Sequence, residues 1–484
     1  MSDANLLALS PYIALATTAV VVMLVSAFWR SHPLSAGLTA AGLAAAFACV
    51  LLVARSGDRR ATSLLRLDDF SLYFTGLLVV VTLAVLAVSY GYLQRTERRV
   101  GDFYVLLALA TLGGVILAAS AHFASFFLGL EVLTVSLYGL IAYPRGRPQA
   151  IEAAFKYLVL AGTTSAFLLF GMALVYAVSG TMLFSGLSTS ARGLAGWESG
   201  SYQVGLVLIF AGVGFKLALV PFHLWTPDVY QGGPAPVTAF LATVSKAAVF
   251  VALLQFLAPL DPRNGALLVV FTIVGYASML AGNLLALLQQ NIKRLLAYSS
   301  IAQLGYLIVA LIASGATGRV AVAFYLSVYA LALVAAFGVV AILSRDYGEP
   351  ESISQYRGLG HRRPVLALVL TVSMLSLAGM PLTAGFIGKF FIFRAGAGAS
   401  LWGLLIVLAL TSAMSLYYYL RVVITMYRVA PAPFAAHLAA STEAGRGDRL
   451  AGGTVVLLSV LTVVLGVYPA PLLRLIEHAT AALG

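Results

Sequence analysis

A chain of 484 residues that is 61% hydrophobic, 10% charged and +12 in net charge is too apolar for a soluble fold, because soluble domains carry about 25% charged residues. One cysteine, Cys49, excludes an internal disulfide and a cluster held by four thiolates of this chain. The six histidines have no ligand spacing, no Gly-rich dinucleotide fingerprint follows a strand pattern, and the basic residues form no run that would point to nucleic acid.

What remains is an all-α polytopic membrane protein. Runs of about 20 apolar residues mark membrane helices. Fourteen are expected, at 9–28, 35–54, 70–90, 103–121, 123–143, 153–178, 205–227, 234–257, 264–288, 295–313, 318–343, 363–394, 401–422 and 452–473. The first lacks a basic n-region and a cleavage site, so it reads as a span and not a cleaved signal.

Charges inside these runs are the chemical signal. Glu131 lies in span 5, about eight residues or ~12 Å from its start. Lys156 lies at the start of span 6, Lys216 in span 7 and Lys246 near the middle of span 8; Lys293 lies just ahead of span 10 and Lys389 in span 12. Those five are all the lysines, whereas arginines gather at span edges. Arginine cannot release its proton in a protein, but lysine can. Each charge at a helix centre costs about 2.5–3.5 kcal/mol on insertion scales, so Glu131, Lys216, Lys246 and Lys389 together represent on the order of 10 kcal/mol if unpaired. Pairing Glu131 with Lys216 would offset much of that, and every other Asp and Glu is expected in a loop or at a span end. Desolvation disfavours the charged form of a lysine left without a partner.

Two spans are broken. Span 7 runs into Pro221 and Pro227, and span 12 contains GMPLTAGFIGKFFIF (379–393) with Pro381. Such breaks free backbone groups that must face protein or a wet cavity. Each break is the fourth helix counted from span 4 or span 9, and each has a lysine nearby. That correspondence points to two inverted five-helix repeats: an N-terminal unit at 1–102, repeats at 103–257 and 264–428, and a cytoplasmic loop with the last helix at 429–484. Beside the first break, His223 could shuttle protons or cap backbone, and Asp228 is expected to cap the helix beginning near Pro234 or to bind a loop. Lys293 sits among Gln290, Asn291, Tyr298 and Ser299, and Lys156 beside Tyr157; a water-filled uptake route and a topological role both remain open for these two lysines. Tyr417, Tyr418 and Tyr419 read as packing or belt residues. With the N-terminus outside, cytoplasmic segments hold 17 Lys and Arg against 9 outside, so both termini are expected on the outer side.

VPFHLWTPDVYQGGPAPVTAF (220–240) followed by Lys246, QNIKRLLAYSSIAQLGY (290–306), and Lys389 after a Pro-broken twelfth span closely resemble the antiporter-like membrane subunits of respiratory complex I. The VTAF ending, and Lys389 where one sibling subtype has glutamate, point to one branch of that family. The resemblance covers nearly the whole chain. It implies that Glu131, Lys216, Lys246 and Lys389 form a proton relay in the bacterial inner (plasma) membrane, with Lys389 as the exit toward the outside and His223 and Lys293 as possible further members. It also implies other complex I membrane subunits and the lipid bilayer as partners. No cofactor is implied in this chain; NAD, FMN, iron–sulfur clusters and quinone are implied in the assembled complex. In that scheme, moving the Glu131–Lys216 pair would act on Lys246 by about 2–3 kcal/mol at ~6–8 Å and an effective dielectric near 20. A cation/proton antiporter subunit, a secondary transporter for an organic solute and a structural scaffold are the competing readings.

Overall fold

The computed structural model describes residues 3–56, 62–97, 100–187, 196–263, 265–344, 349–429 and 446–481. Arg59, Arg60, Arg98, Arg99, Arg192, Arg345 and His437, used above for charge and ligand counts, lie outside them. An apolar segment in hydrocarbon has no water to satisfy its backbone, so it closes its hydrogen bonds within itself as a helix. The elements in order are α1 (Asp3–Phe28), α2 (His32–Arg55), α3 (Asp69–Thr96), α4 (Gly101–Ala118), α5 (Phe123–Ile141), α6 (Pro148–Ser179), α7 (Gly196–Leu217) and α8 (Trp225–Gly232). Next comes α9 (Ala235–Leu257), then α10 (Gly265–Leu287), α11 (Ile292–Ala313), α12 (Gly315–Leu343), α13 (Pro364–Ala378), α14 (Ala384–Gly398), α15 (Trp402–Tyr427), α16 (Arg446–Val467) and α17 (Ala470–Ala481).

Thirteen of these are long and apolar enough to cross a membrane. The expected twelfth span is divided into α13 and α14, which completes the expected fourteen. The chain is a multi-pass membrane protein. Two boundaries differ from expectation. The seventh span begins at Gly196 and stops at Leu217, before Pro221, because the turn that accommodates the proline starts four residues ahead of it. The last span ends at Val467, and a further helix, α17, follows Pro469 and packs on α3 and α12; the chain therefore does not end with its fourteenth span.

Helices α9, α11 and α12 form the enclosed centre, with 94%, 94% and 89% of their apolar windows buried. Peripheral helices such as α6 and α10 keep large apolar side chains, Phe167, Phe170, Ile273 and Leu284 among them, on the outside. Close helix approach depends on glycine. A Cβ on Gly113 of α4 would lie 2.5 Å from Leu133 N of α5, and one on Gly282 of α10 would lie 2.6 Å from Ala302 N of α11. Without a hydrophobic drive between helices in lipid, such small residues permit the van der Waals contact that holds them together.

Candidate functional site

The two breaks share a local design. After α7, Ala218 adopts φ +60°, and after α13, Gly379 and Leu382 adopt φ +82° and +70°. The freed groups find new partners. At the first break Trp225 Nε1 donates to Phe215 O at 2.9 Å and Val220 N donates to Ser278 Oγ at 3.0 Å. At the second, Gly385 N donates to Ser376 Oγ at 3.2 Å, and Lys389 Nζ donates to Ala378 O at 2.9 Å. The second lysine-bearing break is thus satisfied by its own lysine.

The three interior lysines have a common environment. Lys216 Nζ donates to Thr134 Oγ1 at 2.8 Å, with the Tyr157 ring centroid at 5.6 Å. Lys246 Nζ donates to Ser300 Oγ at 2.7 Å, with Tyr230 at 5.5 Å. Lys389 Nζ donates to Ser412 Oγ at 2.8 Å, with Tyr306 at 5.0 Å. Each therefore meets a hydroxyl and an aromatic face, Lys216 having a second ring in Phe215 at 5.9 Å, and among the described residues none has a carboxylate within ion-pair distance. The physical consequence is direct. A carboxylate would lock the ammonium form, whereas a hydroxyl accepts from an ammonium and, by rotating, donates to a neutral amine. Lys246 lies at the middle of α9 and is fully buried. It follows a π-helical turn, Leu241–Ser245, a departure from α geometry often found at functional sites.

The expected contact pair of Glu131 and Lys216 is not formed. Glu131 is part-buried, and its Oε1 accepts from Ser165 Oγ of α6 at 2.6 Å. Thr134, one turn further along α5, takes the lysine instead, and Glu131 reaches Lys216 only through its field. Replacing Thr134 with valine keeps the shape but removes the acceptor. A hydrogen bond to a charged group is worth about 1.5–3 kcal/mol, so Thr134→Val, which removes the acceptor of Lys216, is expected to cost about that much in stability, measured as a lower melting midpoint in detergent.

A polar face on α11 joins the Lys246 and Lys389 sites. Ser300, Gln303 and Tyr306 recur at steps of three, which sets them on one side of the helix. Ser300 also accepts from Tyr329 OH at 2.7 Å, and Tyr325 OH bonds Gln303 Oε1. Gln303 Nε2 donates to Leu377 O at 2.9 Å, next to the carbonyl that holds Lys389. Tyr306 OH accepts from Asn283 Nδ2 at 3.1 Å, whose Oδ1 accepts from Tyr418 OH at 3.1 Å. Tyr418 and Tyr419 are thus buried in the network, and only Tyr417 behaves as a belt residue, 65% exposed. The recurrence of Ser, Gln and Tyr inside an apolar run is the signal in the sequence that marks this face.

Lys293 is not a solvent-facing span-end residue. Its side chain and that of Glu349 are each 2% exposed, and they form an ion pair. Glu349 lies in a loop, as expected, and the fold draws that loop acid inward. Burial works to raise its carboxyl, but the Lys293 ammonium beside it, the Ala235 N–H and Arg147 outweigh that and hold it below the usual carboxylate range. It is Glu349, not Asp228, that takes the Ala235 N–H at 2.9 Å. Asp228 instead accepts from Lys156 at 2.9 Å and from Arg294 at 2.7 Å. Burial pushes its carboxyl up, and those two cations outweigh it and keep it low. Lys156, 43% exposed, also pairs with Glu152. His223, buried in the first break, has no hydrogen bond to a lysine, and its Nδ1 meets no partner among the described residues.

The arrangement can be compared with known proteins. Residues 120–415 match the family described as NADH:quinone oxidoreductase/Mrp antiporter, TM. The chain is similar to a chain of respiratory complex I from Thermus thermophilus, at 35% identity over 96% of this chain and 98% of that one, with a TM-score of 0.79. Its fold is also that of a chain of the Mrp complex of a Dietzia species, at 23% identity over 100% and 98% of the two chains, with a TM-score of 0.84. A chain of the membrane-bound sulfane sulfur reductase, an archaeal respiratory membrane complex, matches at 25% identity over 99% and 98%, with a TM-score of 0.84. The family match spans more than half of the chain and includes Glu131, both breaks and all three interior lysines, and with it the protein belongs to the NADH:quinone oxidoreductase/Mrp antiporter membrane family.

Proposed function

We propose that this chain is the proton-translocating N-type membrane subunit of a bacterial NADH–quinone oxidoreductase, acting as a translocase while other subunits reduce quinone. The observation that carries the proposal is the shared environment of Lys216, Lys246 and Lys389, each bonded to a hydroxyl and facing an aromatic ring, with none clamped by a carboxylate. Three groups that can hold either protonation state, two of them linked through the polar face of α11, are what a proton relay requires. In this reading Glu131 acts on Lys216, Lys246 is the central carrier and Lys389 delivers the proton outward, with His223 on the uptake side.

Two like-built breaks, and glycine-mediated approach of α4 to α5 and of α10 to α11, support two five-helix repeats at 103–257 and 264–428. The membrane is the bacterial plasma membrane, with both termini outward, as the charge bias of the loops suggests. NAD, FMN, iron–sulfur clusters and quinone belong to partner subunits.

The test is isolation of the complex that contains this chain. Flavin and iron–sulfur absorbance, together with vesicle acidification driven by quinone reduction, would support the proposal. A complex without redox centres that exchanges Na⁺ for protons would favour the antiporter reading, which the fold shared with an Mrp complex keeps as the alternative.

A further inference from the structure

The Lys293–Glu349 pair has no evident part in the lysine relay, and a pair so dry is no gain in stability over apolar residues of similar volume. Its placement suggests what it does. Lys293 Nζ donates to Gly233 O at 2.6 Å, just past the end of α8. Glu349 Oε1 accepts from Ala235 N, the first residue of α9, at 2.9 Å, and from Tyr92 OH at 2.8 Å, with Arg147 Nη1 at 3.5 Å. The cation thus lies at a helix C-terminus and the anion at a helix N-terminus, matching the partial charges of both ends. The two helices gripped in this way build the Lys246 site. Helix α9 carries Lys246 itself, and α8 carries Tyr230, whose hydroxyl is 3.5 Å from Ser300 Oγ.

We propose that Glu349 and Lys293 are positioning residues: an ion pair that sets α8 against α9, so that Lys246, Ser300 and Tyr230 meet. The inference rests on the proton-translocation reading and assigns Lys293 a role other than carrier. Arginine separates the two roles, because it keeps the charge and cannot give up a proton. Glutamine at both positions separates pair from individual, because it leaves a donor and an acceptor without the two charges.

The experiment compares Glu349→Gln, Lys293→Gln, the double Gln variant and Lys293→Arg in the assembled membrane complex. It measures complex content, quinone reduction and protons moved per electron. Each single Gln variant leaves one buried charge without its partner in the pair, Glu349 then keeping only the longer contact with Arg147, and is expected to lose about tenfold or more in proton movement or in assembled complex. The double variant is expected to recover to within about threefold of the parent, and Lys293→Arg to keep the greater part of proton movement. A double variant no better than the singles, or a Lys293→Arg loss equal to that of Lys293→Gln, would overturn the proposal. If the single variants assemble and pump like the parent, the proposal also fails. A parent complex that moves no protons would instead overturn the broader reading.

Discussion

Lys246→Arg is expected to reduce proton translocation to background while leaving the complex assembled. Arginine can place a nitrogen near Ser300 Oγ, where Lys246 Nζ now lies at 2.7 Å, and can face the Tyr230 ring. What it cannot do is cycle between protonation states, since its proton is held beyond any accessible pH. Lys246→Ala removes the group altogether and should give the same result. A loss of at least about a hundredfold corresponds to roughly 2.7 kcal/mol or more on the rate-limiting transfer. The measurement is the initial rate of vesicle acidification at a matched rate of quinone reduction. A scaffold role predicts instead that the two variants differ, with arginine tolerated and alanine damaging. Near-parental pumping by the arginine variant would remove Lys246 from the path.

Gly385→Ala is expected to prevent accumulation of the folded protein. Its Cβ would overlap Ser376 O, a backbone atom one helix away that cannot swing aside. Relief requires α14 to move off α13, which breaks the bond from Gly385 N to Ser376 Oγ. The movement would also carry Lys389 away from Ala378 O. Overpacking at a site with flexible neighbours costs about 1–3 kcal/mol; here the obstacle is main chain, and a loss of about 3 kcal/mol or more is expected. Gly398, at the other end of the same helix, is the control. Nothing lies within 4 Å of the place where its Cβ would stand, so Gly398→Ala should leave the yield and the melting midpoint in detergent close to those of the parent. Equal yields of the two variants would contradict the packing account.

Much of the architecture is legible in the sequence because hydropathy is a local property. A run of apolar residues must be helical in lipid whatever it packs against, and so most of the long helices fall close to the expected spans. Pro221 and Pro381 mark both breaks, since proline withholds a donor and excludes the preceding turn. The choice of lysine over arginine at 216, 246 and 389 is equally plain from residue type. The differences concern pairs. Glu131 and Lys216 are the nearest opposite charges in similar spans, which is why contact between them is expected, but Thr134 intervenes. Glu349 lies in a loop, where sequence alone pairs it with nothing, yet it accepts the Ala235 N–H, the cap that is one of two expectations for Asp228.

Residue type and order alone are therefore enough to show that this protein crosses a membrane many times, where its helices break, and which lysines lie within its spans. Packing alone settles which hydroxyl and which ring meet each lysine, that Lys293 is bound to a carboxylate 56 residues away, and that α11 joins two lysine sites through one polar face. The reason is physical. Transfer from water to lipid is set residue by residue, whereas a hydrogen bond requires two groups within about 3 Å of each other, a distance fixed only when distant segments pack.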